Sequence, residues 1–147
     1  MGDILKAAAL RERAAWYATQ FIGTPYVWGG DDPMAGFDCS GLAVEVLQAV
    51  GRLAHGRDYT ANDLFSIFKP FEVSQGYSGC LVFWFNDQGK AIHVEIMIDN
   101  DHVVGASGGG SSTQTLADAI RQNAFVKMRP IRYRGSNYKI IDPFKEC

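Results

Sequence analysis

Phe37-Asp38-Cys39-Ser40-Gly41-Leu42 lies where a turn-rich loop gives way to a run with helical periodicity. Just upstream, Gly29-Gly30-Asp31-Asp32-Pro33 is dense in turn residues and reads as a loop. Downstream, Leu42, Val46, Leu47 and Val50 recur at helical spacing over residues 39–50, and Gly51 stands where a C′ glycine closes a helix. Cys39 is thereby set at a helix N-terminus. The unpaired N–H groups and the dipole of such an end favour a thiolate, the form a cysteine nucleophile needs. The same N–H groups can hold the oxyanion of a tetrahedral intermediate, with Gly41 keeping side-chain bulk away from that spot. For these six residues alone, a buried and inert thiol is the plainer reading.

Outward from this point, residues 3–22 read as a first helix, with Asp3 as candidate N-cap. Its apolar positions are Ile4, Leu5, Ala8, Ala15, Trp16 and Ala18, and Gly23-Thr24-Pro25 ends it. Thr60 to Phe68 reads as a third helix, Asp63 completing a capping box begun by Thr60. Then the period changes. Cys80 to Phe85 is an unbroken apolar run, as in a strand buried on both faces. Asn86 to Gly89 is a turn, Ile92 to Ile98 a strand, and His102 to Ala106 its returning partner after the turn Asp99-Asn100-Asp101. Gly108 to Ser112 reads as a flexible loop and Thr115 to Asn123 as a short helix. Phe125 to Tyr133 reads as a last strand, with Pro130 marking a sheet edge. Helices precede an antiparallel sheet, so the expected class is α+β, helices packed against a central antiparallel β-sheet, with residues 1–147 forming one domain.

Composition excludes several functions. The formal net charge of −2 gives no bulk attraction to nucleic acid. No run approaches the roughly 20 apolar residues that span a bilayer, and Met1 to Lys6 does not read as a secretory signal. Synthesis in the cytoplasm without a signal peptide or membrane insertion is expected, with some other route of release if the protein acts outside. Cys39, Cys80 and Cys147 are too few for a disulfide framework and contain no close pair for a metal, so neither metal nor cofactor is expected. Cys80 reads as a buried small hydrophobe and Cys147 as a frayed, inert end. The basic stretch Lys127-Met128-Arg129 and Arg132-Tyr133-Arg134 reads as a solvated strand face. A monomer is expected.

Of the three histidines, His55 falls in a surface loop and His102 begins the returning strand. His93 alone opens a strand among apolar neighbours, where a sheet edge can face a helix start. A thiol and an imidazole brought together by the fold make a Cys–His nucleophilic pair. Thr24-Pro25-Tyr26-Val27-Trp28-Gly29-Gly30, Gly36-Phe37-Asp38-Cys39-Ser40-Gly41-Leu42, Gly79-Cys80-Leu81-Val82-Phe83-Trp84 and His93-Val94-Glu95-Ile96 together resemble the NlpC-type cell-wall cysteine peptidases. The resemblance runs from about residue 10 to 130. It implies a papain-like fold and hydrolysis of peptidoglycan stem peptides, usually at the bond from the γ-carboxyl of D-glutamate to diaminopimelate or lysine. It places Cys39 as nucleophile, His93 as base, and the Tyr26 hydroxyl near the cysteine. Asp38 and Ser40 match the pair that binds a free N-terminal L-alanine amine. A carboxylate can recognise an ammonium, and Asp38 can equally be an N-cap. Tyr26 and Trp28 can equally be packing aromatics of the cleft wall.

One position departs from that pattern. The resemblance implies a polar residue twelve after the histidine, on the facing strand, where this chain has Gly105. By strand parity His102 points away, and Ser107 shares the face but lies past the strand end. With residues 93 and 105 opposite each other, Glu95 lies diagonally across from Gly105, within reach of His93. Glu95 is therefore the candidate orienting group. The alternatives are a dyad held by a backbone carbonyl or water, and a Glu95 that contacts substrate or solvent. The loop Gly105 to Ser112 lacks the Gly-Lys-Ser/Thr ending of a P-loop and reads as a mobile rim of the cleft. The leading expectation is a peptidoglycan endopeptidase, as in a phage lysin or tail enzyme, a secreted effector or a recycling enzyme. The alternatives are a non-catalytic binding or phage-tail assembly protein that keeps the fold, and a Cys–His amidase or acyltransferase on another substrate.

Overall fold

The computed structural model describes residues 2–32 and 36–145, so Pro33 of the expected loop and Cys147 lie outside the described residues. The chain opens with helix α1 (Gly2–Thr19). Strands β1 (Asp31–Asp32) and β2 (Gly36–Phe37) pair antiparallel just ahead of helix α2 (Cys39–Ala49), so the turn-rich stretch carries a short strand pair. Helix α3 (Ala61–Phe68) and strand β3 (Glu72–Val73) follow. Next come β4 (Leu81–Phe85), β5 (Ala91–Met97), β6 (His102–Ser107), helix α4 (Leu116–Gln122), β7 (Phe125–Pro130) and β8 (Tyr138–Ile141). Six strands make one antiparallel sheet in the order β3-β8-β4-β5-β6-β7. The class is α+β, as expected, and the Pro130 strand β7 is an edge.

Both faces of the sheet are covered. On one, Phe83, Val94, Ile96 and Val104 join Leu42, Val46 and Leu47 of α2 and Leu64 and Phe68 of α3 in the larger core. On the other, Val82, Trp84, Met97, Val103 and Ile140 pack with Ile131, Tyr133 and Tyr138. β4 contributes to both, which is why its sequence is an unbroken apolar run. Thr60 caps α3 through the Asp63 amide while the Asp63 carboxylate takes the Thr60 amide, the reciprocal box that the sequence announces. Gly51 takes φ +77°, the left-handed conformation that ends α2.

Three expectations are corrected. Asp3 lies inside the first turn of α1 and is not its cap. The buried face of α1 is Ala7, Ala14, Ala15 and Ala18, whereas Ile4, Leu5 and Trp16 are exposed. Small side chains let the helix lie close to its neighbours, and a reading weighted by bulk misses such a face. Phe125–Pro130 is not the last strand. β8 returns between β3 and β4 and pairs with both, although four residues are too few to show a period.

Asp142, just past β8, is wholly buried and ties the C-terminal segment to α1. Its Oδ2 receives Arg11 Nε at 3.0 Å and the Tyr77 hydroxyl at 2.7 Å, with Arg11 Nη2 at 2.7 Å, and its Oδ1 receives the Phe144 amide at 2.9 Å. Gly79, at φ +93°, leaves room for Arg11, since a Cβ there would fall 2.7 Å from Arg11 Cα. Asp142→Ala would leave Arg11 without its counter-charge. Arg11 is part-buried and can be rehydrated, so the expected cost is about 2–3 kcal/mol of stability, read as a lowered urea midpoint with an unchanged slope.

Candidate functional site

Cys39 is the first residue of α2, and Asp38 is the helix N-cap. Asp38 Oδ1 accepts the Gly41 amide at 2.7 Å and the Ser40 hydroxyl at 3.3 Å, while Oδ2 accepts the Gly29 amide at 3.1 Å. The Asp38 amide in turn donates to the Gly30 carbonyl at 3.0 Å. This side chain therefore fastens the glycine loop to the helix start. The same contact explains Gly41: a Cβ there would sit 1.9 Å from the Gly30 oxygen. Close approach of the loop to the helix requires this glycine, a different reason from the oxyanion clearance expected.

His93 reaches the site from an interior strand of the sheet and not from an edge. Trp84 pairs with His93 and Phe85 with Ala91, so Ile92 is an extra residue on β5. Such a bulge re-aims the side chains that follow it, and the His93 ring lies 5.5 Å from that of Trp84. Nε2 of His93 is 2.7 Å from Oε2 of Glu95, whose side chain is wholly buried. The ring also interacts with the Cys39 thiol. With Nε2 taken by Glu95, Nδ1 is the nitrogen left for the sulfur.

The register of β5 against β6 differs from that expected. Ile96 faces Val104 and Met97 faces Val103, which continues to Glu95 directly opposite Gly105. A Cβ at 105 would fall 2.2 Å from Glu95 Cγ, 2.5 Å from Cδ and 2.7 Å from Oε1. Glu95 fills the space that a side chain at 105 would occupy. Ser107 does not lie past the strand: it is the buried last residue of β6 and lines the cleft. His102 pairs instead with Asp99 on the turn, and His55 is exposed.

Burial opposes charge on His93, but the hydrogen bonds and charges of Cys39 and Glu95 outweigh it and raise its pKa to about 9. Tyr26 is buried, and burial together with Cys39 and Asp38 pushes its hydroxyl well above the ordinary tyrosine range. It stays protonated and can donate. Burial pushes the Cys80 thiol up to about 12, as suits an inert core residue.

Cys39 and His93 open onto a cleft of about 510 Å³, walled by Tyr26, Trp28, Ser107 and Arg134 among others. Trp28 is half-exposed on its rim. A second hollow of about 270 Å³ lies on the other side of Asp38 and Ser40, lined by Asp58, Tyr59, Thr60 and Asp63. The loop after β6 forms another rim: Gly109 lies under the Tyr26 ring, where a Cβ would be 2.4 Å from Cδ1. Thr113 anchors it, its carbonyl taking the Trp28 amide at 2.7 Å and its hydroxyl the Gly110 amide at 2.9 Å. Among the described residues, no group of three or more His, Cys, Asp or Glu side chains is arranged to hold a metal, and no helix is long and apolar enough to cross a membrane.

All seven residues singled out in the sequence (Tyr26, Trp28, Asp38, Cys39, Ser40, His93 and Glu95) thus converge on one region. A buried acidic–imidazole pair beside a thiol at a helix start is equipped for nucleophilic acyl transfer. The model of the NlpC/P60 family matches residues 23–130, a span holding all seven. The chain belongs to the NlpC/P60 family. It is 39% identical over 114 residues to Protein P54 of Enterococcus faecium, which covers 77% of this chain and 20% of that protein. It is 34% identical over 118 residues to murein DD-endopeptidase MepH of Escherichia coli (strain K12), covering 76% of this chain and 42% of that one. The chain therefore spans between a fifth and about two-fifths of these relatives. The NlpC/p60 domain of the peptidoglycan hydrolase SagA superposes with a TM-score of 0.66 at 28% identity, covering 88% of this chain and 97% of that domain. The fold is the papain-like α+β fold of that family.

Two residues of this NlpC/P60 chain were not found in its sequence. Tyr133, from the stretch read as a solvated face, donates its hydroxyl to Glu95 Oε2, and Arg134 lines the cleft. The one available signal was a tyrosine between two arginines just after an edge strand.

Proposed function

We propose that this chain is a cysteine peptidase that hydrolyses peptidoglycan stem peptides through an acyl-enzyme on Cys39. The observation that carries the proposal is the Cys39 thiol and the Glu95-bound His93 ring sharing one open cleft. In this reading Nδ1 of His93 takes the thiol proton and the Cys39 sulfur attacks the scissile carbonyl. The Cys39 amide and the Tyr26 hydroxyl stabilise the oxyanion. The imidazolium gives its proton to the leaving amine, the C–N bond breaks and a thioester remains. Water, deprotonated by the same imidazole, then releases the acid and restores the thiol. Glu95 holds the Nε2 side of His93, so that Nδ1 is the nitrogen that exchanges a proton with the sulfur.

The names of the relatives MepH and SagA support peptidoglycan as the substrate class. The charged side chains lining the cleft and the hollow beside it suit a stem peptide carrying both signs of charge. Asp38 and Ser40, with Asp58 and Asp63 beyond them, suit a free L-alanine amine, and Arg134 and Lys90 suit a carboxylate. That favours the γ-D-glutamyl–diaminopimelate or γ-D-glutamyl–lysine bond, with Trp28 as a wall of the cleft. Mass spectrometry of products from defined muropeptides tests the choice. Release of L-Ala-γ-D-Glu is the expected result; cleavage between two D-residues would refute the bond, and no cleavage of any muropeptide would refute the peptidase.

A pH dependence follows from His93. Its pKa is raised above the ordinary 6.5, so the stability gained by its charged form is complete below about 6.5 and is lost as the pH rises through about 9. The leaving amine needs that same imidazolium. The alkaline limb of kcat/KM is expected near pH 9, measured on a defined muropeptide at constant ionic strength; a limb near 6.5 would contradict the pairing of His93 with Cys39 and Glu95.

A further inference from the structure

Glu95 is held from two sides. The Tyr133 hydroxyl and His93 Nε2 both bond Oε2, while Oε1 has no hydrogen-bond partner among the described residues. Rotation about the last bond of a glutamate side chain is soft and two-fold, so a carboxylate bonded by His93 alone could exchange or tilt its oxygens. The contact with Gly105 closes one side of the space around Glu95, and Tyr133 fixes which oxygen is presented. The Tyr133 ring is itself braced, 4.8 Å below the Arg129 guanidinium and 6.1 Å from Trp84, the ring that also abuts His93.

We infer that Tyr133 is a positioning residue that sets the angle of the His93 imidazole by locking the Glu95 carboxylate, in a Tyr133–Glu95–His93–Cys39 chain for which Gly105 leaves the room. The Tyr133 hydroxyl reaches His93 through Glu95, and Ser107 is its other polar neighbour. It moves no proton. Burial and the Glu95 charge hold its hydroxyl well above the ordinary tyrosine range, and it remains a donor throughout the working pH. The inference rests on the Cys39–His93 reading above.

The test compares Y133F with Y138F, whose ring also packs on Trp84, 5.9 Å away, but is not bonded to Glu95. A hydrogen bond to a charged group is worth about 1.5–3 kcal/mol, so Y133F should lower kcat about 10- to 100-fold on a defined muropeptide, with KM changed less than twofold. In 15N-labelled protein the Nε2–H proton of His93 should be a downfield, slowly exchanging resonance in the wild type and in Y138F, and be lost or broadened in Y133F. That readout needs no substrate, so it remains decisive even if no muropeptide is cleaved. In an E95Q background Y133F should cost nothing further, and this pair keeps the comparison open if Y133F alone fails to fold. Wild-type kcat and an unchanged resonance in Y133F, or losses that simply add in the double variant, would overturn the inference.

Discussion

Cys39→Ala is expected to abolish muropeptide hydrolysis, lowering kcat by on the order of 10⁶-fold, the scale seen when the nucleophile of a coupled catalytic unit is removed. The fold should stand. The loop is fastened to α2 by the carboxylate and amide of Asp38, not by the sulfur, and alanine is a good residue in a first helical turn. Thermal unfolding followed by circular dichroism should therefore show a midpoint within a few degrees of the wild type. Substantial turnover by the folded variant would remove Cys39 from the chemistry and leave a cleft that only binds.

The second large effect belongs to Glu95. Its Oε2 lies 2.7 Å from His93 Nε2, and a carboxylate there favours a proton on Nε2, which leaves Nδ1 to exchange the proton with the sulfur. Glu95→Gln preserves the volume wedged against Gly105 but can turn an NH₂ toward Nε2. That would put the ring proton on the nitrogen facing Cys39, the wrong tautomer for taking a proton. The expected loss in kcat is about 10²- to 10⁴-fold, the upper end being that of an orienting carboxylate made into an amide. The alkaline limb should also move below pH 9, because one of the groups that raises the His93 pKa has lost its charge. Rate measurements from pH 5 to 10 read both effects. Unchanged turnover would return Glu95 to a structural role.

What could be read in the sequence follows from how local its physics is. Asp38 caps within three residues, Thr60 and Asp63 complete a box within three, and the β4 run is apolar because both its faces are buried. These features fix the position of Cys39 without knowledge of the rest of the chain. The pairing of Glu95 with His93 was legible because residues two apart on a strand share a face. Its pairing with Gly105 was misread by two residues, since register depends on the 98–101 turn and on strand pairing that no local pattern announces. The bulge at Ile92 was equally hidden, and it is what turns His93 toward Trp84. Tyr133 was missed because it meets Glu95 across 38 residues of sequence, from within a run of arginines whose charge suggested solvent. In α1 the burial is carried by alanines, which the bulkier and exposed Ile4, Leu5 and Trp16 outweighed in the pattern.

The sharpest measurement is a titration of activity against modification of Cys39 by iodoacetamide at pH 7, with peptide mapping to separate the thiols. The expected result is hydrolysis falling in proportion to carboxamidomethylation of Cys39, independently of any label mapped to Cys147, while the buried Cys80 stays unmodified. Hydrolysis that persists once Cys39 is fully modified would contradict a nucleophile at the start of α2.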